Sequence, residues 1–280
     1  MRPLVRVGVA GLGAVGLPVA EALLCRAIPG MQLSAVSASS PASARAKLEP
    51  LHVRCSSDSD AVMYVPVQQL AEHADVVLEG LPPTSFMQVA RPTIAAGKTL
   101  VALSATQLLA HLPELETLAE ETGGRIIVPT GALCGLDAIR AAAEGGNVQS
   151  VVMQTRKPPR SLQHAPFVLE QGLDLSALEV PLRLYAGSVA DAAQRFPANV
   201  NVAVAVALAG IGPERTTYEL WADPGVARNT HSLAVRAEES DFEVRVAGVP
   251  SDTNPATGAL TPLSAIATLR ALVARVRVGT

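Results

Sequence analysis

A β-branched apolar run, Leu4-Val5-Arg6-Val7-Gly8-Val9-Ala10, leads directly into Gly11-Leu12-Gly13-Ala14-Val15-Gly16, and an Ala- and Leu-rich stretch follows to about Ala27. Strand, glycine turn and helix in that order form a βα unit. Gly11 permits the tight turn, Gly13 lets backbone approach a pyrophosphate, and Gly16 lets the helix pack closely on the strand. The helix N-terminus then points unpaired N–H groups at phosphate oxygens. The motif therefore predicts a dinucleotide site with Gly11, Gly13, Ala14, Val15 and Gly16 as contacts. The competing reading is a glycine turn that only packs a helix on a sheet.

The following pattern extends that unit. Strand patterns at 4–10, 32–37, 63–65, 76–81, 99–103 and 125–128 alternate with helical stretches at 14–27, 41–48, 67–73, 84–96 and 105–122. Repeated βα units predict a doubly wound parallel sheet, a Rossmann arrangement, over residues 1–128. Ligands of such sheets lie outside the carboxyl ends of the strands, so the 80–85 loop and Ser104 are expected near a nicotinamide. From about Gly131 the pattern changes. Helical stretches at 137–143, 189–196 and 200–209 are mixed with strand patterns at 148–155, 182–186, 216–222, 232–238 and 242–249. Strands with few intervening helices predict a mixed sheet in a second α/β domain, 129–260. The segment 157–172, punctuated by Pro158, Pro159 and Pro166, reads as a long polar connection. A terminal amphipathic helix at 262–276 completes the chain within a segment 261–280.

The chain has 280 residues, 49% hydrophobic and 17% charged, enough for two substantial cores. A net charge of −3 argues against nucleic acid as a partner. No apolar run reaches the ~20 residues of a membrane span, and the amino terminus does not read as a signal peptide. The three cysteines, Cys25, Cys55 and Cys134, are widely spaced without a CxxC pair. That spacing makes a disulfide framework or a metal site improbable and fits a reducing cytoplasm.

Dinucleotide sites of this kind usually place a carboxylate after the second strand to bind the ribose hydroxyls. Here the stretch is Val36-Ser37-Ala38-Ser39-Ser40, without an acid, and Arg45 follows. Ser37 and Arg45 therefore favour NADP, or use of both NAD and NADP. The alternative is a plain polar loop beside an NAD ribose. Among the five histidines, His231 is singled out because it lies in a polar loop, 223–231, ahead of a strand. Histidine titrates nearest neutral pH and is the default proton carrier. Thr155-Arg156-Lys157 offers cations that could clamp a carboxylate. Asn199 and Asn201 precede an apolar helix, and either could serve simply as its cap.

Taken together, the glycine turn, Gly131-Ala132-Leu133-Cys134-Gly135-Leu136-Asp137, Thr155-Arg156-Lys157, Phe196-Pro197-Ala198-Asn199-Val200-Asn201, Arg228-Asn229-Thr230-His231 and Asn254-Pro255-x-Thr257 resemble the L-aspartate dehydrogenase family over nearly the whole chain. The resemblance implies NAD(P)-dependent oxidative deamination of L-aspartate to iminosuccinate, which hydrolyses to oxaloacetate and ammonia or feeds pyridine nucleotide biosynthesis. It implies a cytoplasmic homodimer formed through the second domain and a final helix returning to the first. It places the active-site histidine on His231 and further cofactor contacts on Ala132 and Asn201. Arg156, Lys157, Asn229 and Asn254 are the expected aspartate contacts. The serines after the second strand depart from the acid common in the family. The alternatives are a related two-domain reductase resembling dihydrodipicolinate reductase, an amino-acid dehydrogenase with another substrate, and a non-catalytic dinucleotide sensor.

Overall fold

The computed structural model describes residues 3–58, 61–197, 199–251, 254 and 257–279. It divides into two compact units, residues 1–131 with 261–277, and residues 132–260 with 278–280.

In the first unit, strands β1 (Val5–Ala10), β2 (Met31–Ser37), β3 (Met63–Tyr64), β4 (Val76–Glu79), β5 (Thr99–Ala102) and β6 (Arg125–Ile127) form one sheet in the order β3-β2-β1-β4-β5-β6. Every pairing in it is parallel. The order reverses direction at β1, so the crevice between the carboxyl ends of β1 and β4 is the topological switch point. Helices α1 (Gly16–Leu24), α2 (Pro41–Cys55), α3 (Leu70–His73), α4 (Phe86–Ala95), α5 (Ala105–Ala110) and α6 (Leu112–Thr122) connect the strands. The single helix expected over 105–122 is two, broken at His111, where the backbone leaves helical geometry ahead of Pro113. Buried side chains of β1, β2, β4, α1 and α2 make one apolar cluster, which also takes in Ala265 and Leu269. These two come from the last helix, labelled below.

In the second unit, α7 (Leu136–Glu144), β7 (Val148–Lys157), α8 (Pro166–Glu170), β8 (Leu182–Ser188), α9 (Val189–Arg195), α10 (Asn201–Ala209), β9 (Thr216–Ala222), β10 (Thr230–Ala237) and β11 (Asp241–Ala247) follow in chain order. The last helix, α11 (Leu260–Val273), carries Ala265 and Leu269 into the first unit's core. The five-stranded sheet runs β11-β10-β7-β9-β8. β7 and β9 are parallel, while the other pairs are antiparallel, as the mixed pattern predicts. Val151, Met153 and Thr155 of β7, with Leu233 and Val235 of β10 and Tyr218 and Leu220 of β9, point to the buried face. Helices α7, α9 and α10 pack together in this unit, with α9 and α10 on β9. The short helix α8 lies in the segment expected to be a plain connection; Pro166 at its first turn is a good helix start.

One expectation fails. Cys25 and Cys55 are bonded as a disulfide, with Cα atoms 4.7 Å apart. Wide sequence spacing conceals that Cys25 caps the carboxyl end of α1 and that Cys55 is the last residue of the neighbouring helix α2. Arg54 and Glu21 form an ion pair beside them. Closing a loop of this length is worth about 2–4 kcal/mol. Cys25→Ser with Cys55→Ser, or full reduction, is expected to lower the melting temperature by several degrees. An unchanged melting temperature would remove the disulfide from the stability of the first unit.

Candidate active site

In the first unit the candidate site is built from backbone. Gly11 has φ of 91°, and a Cβ there would meet the Gly80 carbonyl at 2.5 Å. A Cβ on Gly16 would collide with the Gly11 carbonyl. Gly13 faces open space, with nothing within 4 Å of a Cβ position. The turn is thus closed where chain meets chain and open where a pyrophosphate would approach. Helix α1 begins without a side-chain cap and without an acidic residue in its first turn, which leaves its N–H groups available to an anion. These features fit a dinucleotide.

A cavity of about 540 Å³ continues past the carboxyl end of β2, lined by 36–41, Ala44, Tyr64 and the Leu81–Pro82 turn. Ser37 is buried in its wall, and Ser40 is spent on capping α2, accepting from the Ser43 N–H at 3.1 Å. Arg45 lies one ring away: its guanidinium stacks over Tyr64, 4.9 Å from the ring centre. Lys47, which sequence reasoning missed, donates to the Leu12 carbonyl of the glycine turn at 2.9 Å. A second missed residue is Glu79, fully buried at the end of β4. Its carboxylate accepts from the backbone N–H groups of Leu81, Leu103 and Ser104 and from the Ser104 hydroxyl, at 3.0–3.2 Å. Burial pushes its pKa up and these donors oppose the rise. Glu79 therefore fastens together the two loops, after β4 and β5, that were expected near the nicotinamide.

The second unit supplies titrating side chains. His231 is not in a loop: strand β10 begins one residue earlier, and His231 pairs with Thr155 of β7. Its Nδ1 is 3.0 Å from the Thr155 hydroxyl. Lys157, two residues on, shares the buried face with Thr155. Its Nζ donates to the side-chain carbonyl of Asn199 at 2.7 Å, and no salt bridge joins it to a carboxylate among the described residues. Burial lowers the Lys157 pKa to about 8. Burial, followed by the nearby Lys157 charge, lowers that of His231 to about 4. Among the described residues, the buried face holds an imidazole biased toward its neutral form and an ammonium whose side-chain partner is an amide. A cation in that state gains most from an anionic ligand.

The other expected contacts are placed as follows. Arg156 points to the opposite face of β7, where Asp223 binds it at 2.8 Å, Gln154 accepts from it at 2.8 Å and Trp221 lies under it, 4.7 Å away. Alternation along the strand separates it from Lys157 and His231. Neither Asn199 nor Asn201 is the cap of α10; that position is Val200. Asn199 serves Lys157 instead, and Asn201 opens the helix. Asn229 is half-buried just before β10, its carbonyl accepting from the Gly248 N–H. Asn254 is exposed in a loop, Ala132 lies in the turn before α7, and Cys134 beside it is exposed. Asp252, Thr253 and Pro255 lie outside the described residues. Among the described residues, no group of three or more His, Cys, Asp or Glu side chains could hold a metal ion, and no helix is long and apolar enough to cross a membrane.

A nucleotide turn on a parallel sheet, with a mixed sheet that buries an imidazole beside an ammonium, defines a two-unit nicotinamide-nucleotide dehydrogenase. Family models agree: residues 11–129 match "homoserine dehydrogenase, NAD binding domain" and residues 137–272 match "aspartate dehydrogenase, C-terminal". The chain is 45% identical to L-aspartate dehydrogenase 3 of Bordetella bronchiseptica, covering 98% of this chain and 97% of that one. It is 44% identical to the L-aspartate dehydrogenase of Bradyrhizobium diazoefficiens, covering 98% and 94%. Aspartate dehydrogenase from Thermotoga maritima has the same fold, with a TM-score of 0.71 at 21% identity over 98% of this chain and 99% of that one. The chain belongs to the L-aspartate dehydrogenase family.

Lys157→Met keeps the stem and removes the buried charge. It is expected to stabilise the folded protein by about 1–3 kcal/mol while weakening dicarboxylate binding at least ~10-fold. Chemical denaturation and succinate titration check both effects. A variant that loses stability would show that the Lys157–Asn199 bond is structural.

Proposed function

We propose that this protein catalyses reversible NAD(P)-dependent oxidative deamination of L-aspartate to iminosuccinate, which water converts to oxaloacetate and ammonia. The observation that carries the reading is Lys157, a buried ammonium facing an amide rather than a carboxylate, beside His231. The membership in the aspartate dehydrogenase family supports the substrate.

The residues divide the work. Lys157 and Asn199 receive one carboxylate of aspartate, with Asn229 and Asn254 as candidates for the other. Burial first, and the Lys157 charge second, hold the His231 pKa down; a carboxylate paired with Lys157 offsets the second cause, so substrate binding moves the imidazole toward a better base. His231 takes a proton from the amine. The nitrogen lone pair then forms the C=N bond as the Cα–H bond breaks with both its electrons leaving as hydride. Gly11, Gly13 and Gly16 would hold a nicotinamide dinucleotide, which when bound would supply the hydride acceptor. An amino acid without the second carboxylate leaves desolvated polar groups unpaired, so alanine should be rejected strongly.

His231→Ala is expected to lower turnover by about 10²–10⁴-fold with the cofactor dissociation constant nearly unchanged. The test follows reduced-nicotinamide absorbance with L-aspartate, L-alanine, L-glutamate and L-malate in turn. Full turnover in the variant would remove His231 from the mechanism, and preference for another acid would transfer the reading to a related dehydrogenase.

The same reading favours NADP or use of both cofactors. No carboxylate follows β2, while Arg45 and Lys47 bring two cations to α2. Arg45→Ala is expected to raise the KM for NADP by about 10-fold or more and leave that for NAD nearly unchanged. Equal effects on both would place Arg45 outside the 2′-phosphate site. A homodimer belongs to this reading as well, and sedimentation equilibrium decides it.

A further inference from the structure

The interior of the second unit holds one more polar group. Tyr218 on β9 is fully buried, and its hydroxyl lacks a hydrogen-bond partner in bonding geometry among the described residues. Burial pushes the phenol above its ordinary range, and the Thr155 hydroxyl is the group that opposes the rise. Thr155 is also the residue whose hydroxyl meets Nδ1 of His231. Strand register explains the grouping. Thr155 sits opposite His231 on one side and Leu220 on the other, and Tyr218 is two residues from Leu220 on the same buried face. An unbonded hydroxyl in an apolar interior costs stability, and a phenylalanine would fill the same space without that cost.

Because His231 is neutral at working pH, its single ring proton must occupy one nitrogen or the other. Thr155 also has a single proton to give. If Thr155 donates to Nδ1, the ring proton sits on Nε2 and neither nitrogen has a free lone pair. If Thr155 turns its proton elsewhere, Nδ1–H can donate to Thr155 and Nε2 keeps its lone pair. Tyr218 offers the oxygen toward which that proton can turn.

We propose that Thr155 and Tyr218 are positioning residues that fix the tautomer of His231: Nδ1–H donates to Thr155 Oγ1, the Thr155 O–H is directed at Tyr218 Oη, and the lone pair remains on Nε2 to accept the substrate's proton. The proposal rests on the reading of His231 as the proton acceptor. It gives the imidazole an orienting partner made of two hydroxyls rather than a carboxylate, so the orienting group brings no negative charge to compete with the substrate.

The experiment is ¹⁵N NMR of histidine-labelled enzyme at neutral pH, with steady-state kinetics on Thr155→Val, Thr155→Ser and Tyr218→Phe. In the unsubstituted enzyme, His231 is expected to show an unprotonated Nε2 and a protonated Nδ1. Thr155→Val is expected to move the proton to Nε2 and lower kcat about 10–100-fold, with the cofactor KM within about 2-fold. Thr155→Ser is expected to restore both tautomer and turnover, which a purely structural role for the threonine methyl would not permit. Tyr218→Phe is expected to shift the tautomer population partway, with a smaller loss of kcat. An Nε2–H tautomer in the unsubstituted enzyme overturns the proposal without any variant having to fold. So does a Thr155→Val enzyme that keeps the original tautomer and turnover. Full turnover in His231→Ala, by contrast, would strike the catalytic reading while the tautomer measurement stood by itself.

Discussion

The chemistry of the second unit depends on a charge that the fold leaves incompletely satisfied. Lys157 is carried inward by the last residue of β7, and its ammonium is met by the Asn199 carbonyl, a neutral acceptor. An amide satisfies one donor but does not cancel a charge, so the ammonium keeps much of its desolvation cost. Two consequences follow. The lysine gives up its proton more easily than a solvated one would, and its field reaches His231, which burial has already biased toward the neutral form. Under the proposed function, a carboxylate paired with Lys157 would neutralise the ammonium and remove its field from His231, so that one interaction would set both substrate affinity and the readiness of the imidazole.

The first unit solves a different problem by different means. A pyrophosphate needs N–H groups and close approach, which side chains would obstruct. Gly11 and Gly16 are held by contacts that allow no Cβ, and Gly13 opens onto free space. Glu79 lies beneath this surface and binds four donors from two loops. The loops are therefore fixed by one buried carboxylate rather than by packing alone.

Sequence reading succeeded where the signal was local. The glycine turn depends on residues within a dozen positions, and the strands of both units announce themselves by β-branched runs or by alternation. Thr216–Ala222 is recovered residue for residue. It failed where the signal was long-range. The Cys25–Cys55 bond joins the ends of two helices whose proximity follows only from strand order. Glu79 looked like one more residue of a buried strand, because its four donors come from elsewhere in the chain. The sequence pattern groups Arg156 and Lys157 as one clamp, because its strand signal ends at Thr155. The strand in fact runs to Lys157, and its alternation sends the neighbours to opposite faces. The burial pattern Val151, Met153, Thr155, Lys157 contains that information once the strand's length is known. His231 was found through its polar surroundings, though its role as a strand residue paired with Thr155 needed the register.

The central claim is that Lys157 sits without its countercharge until an acid binds. Isothermal titration of the enzyme with succinate, at about pH 9 and in buffers of different ionisation heat, counts the protons exchanged on binding. In the free protein Lys157 titrates near 8 and is mostly neutral at that pH; pairing with a carboxylate raises its pKa and restores the charge. Binding is therefore expected to take up close to one proton per site. Binding with no proton uptake, or with release, would contradict the account.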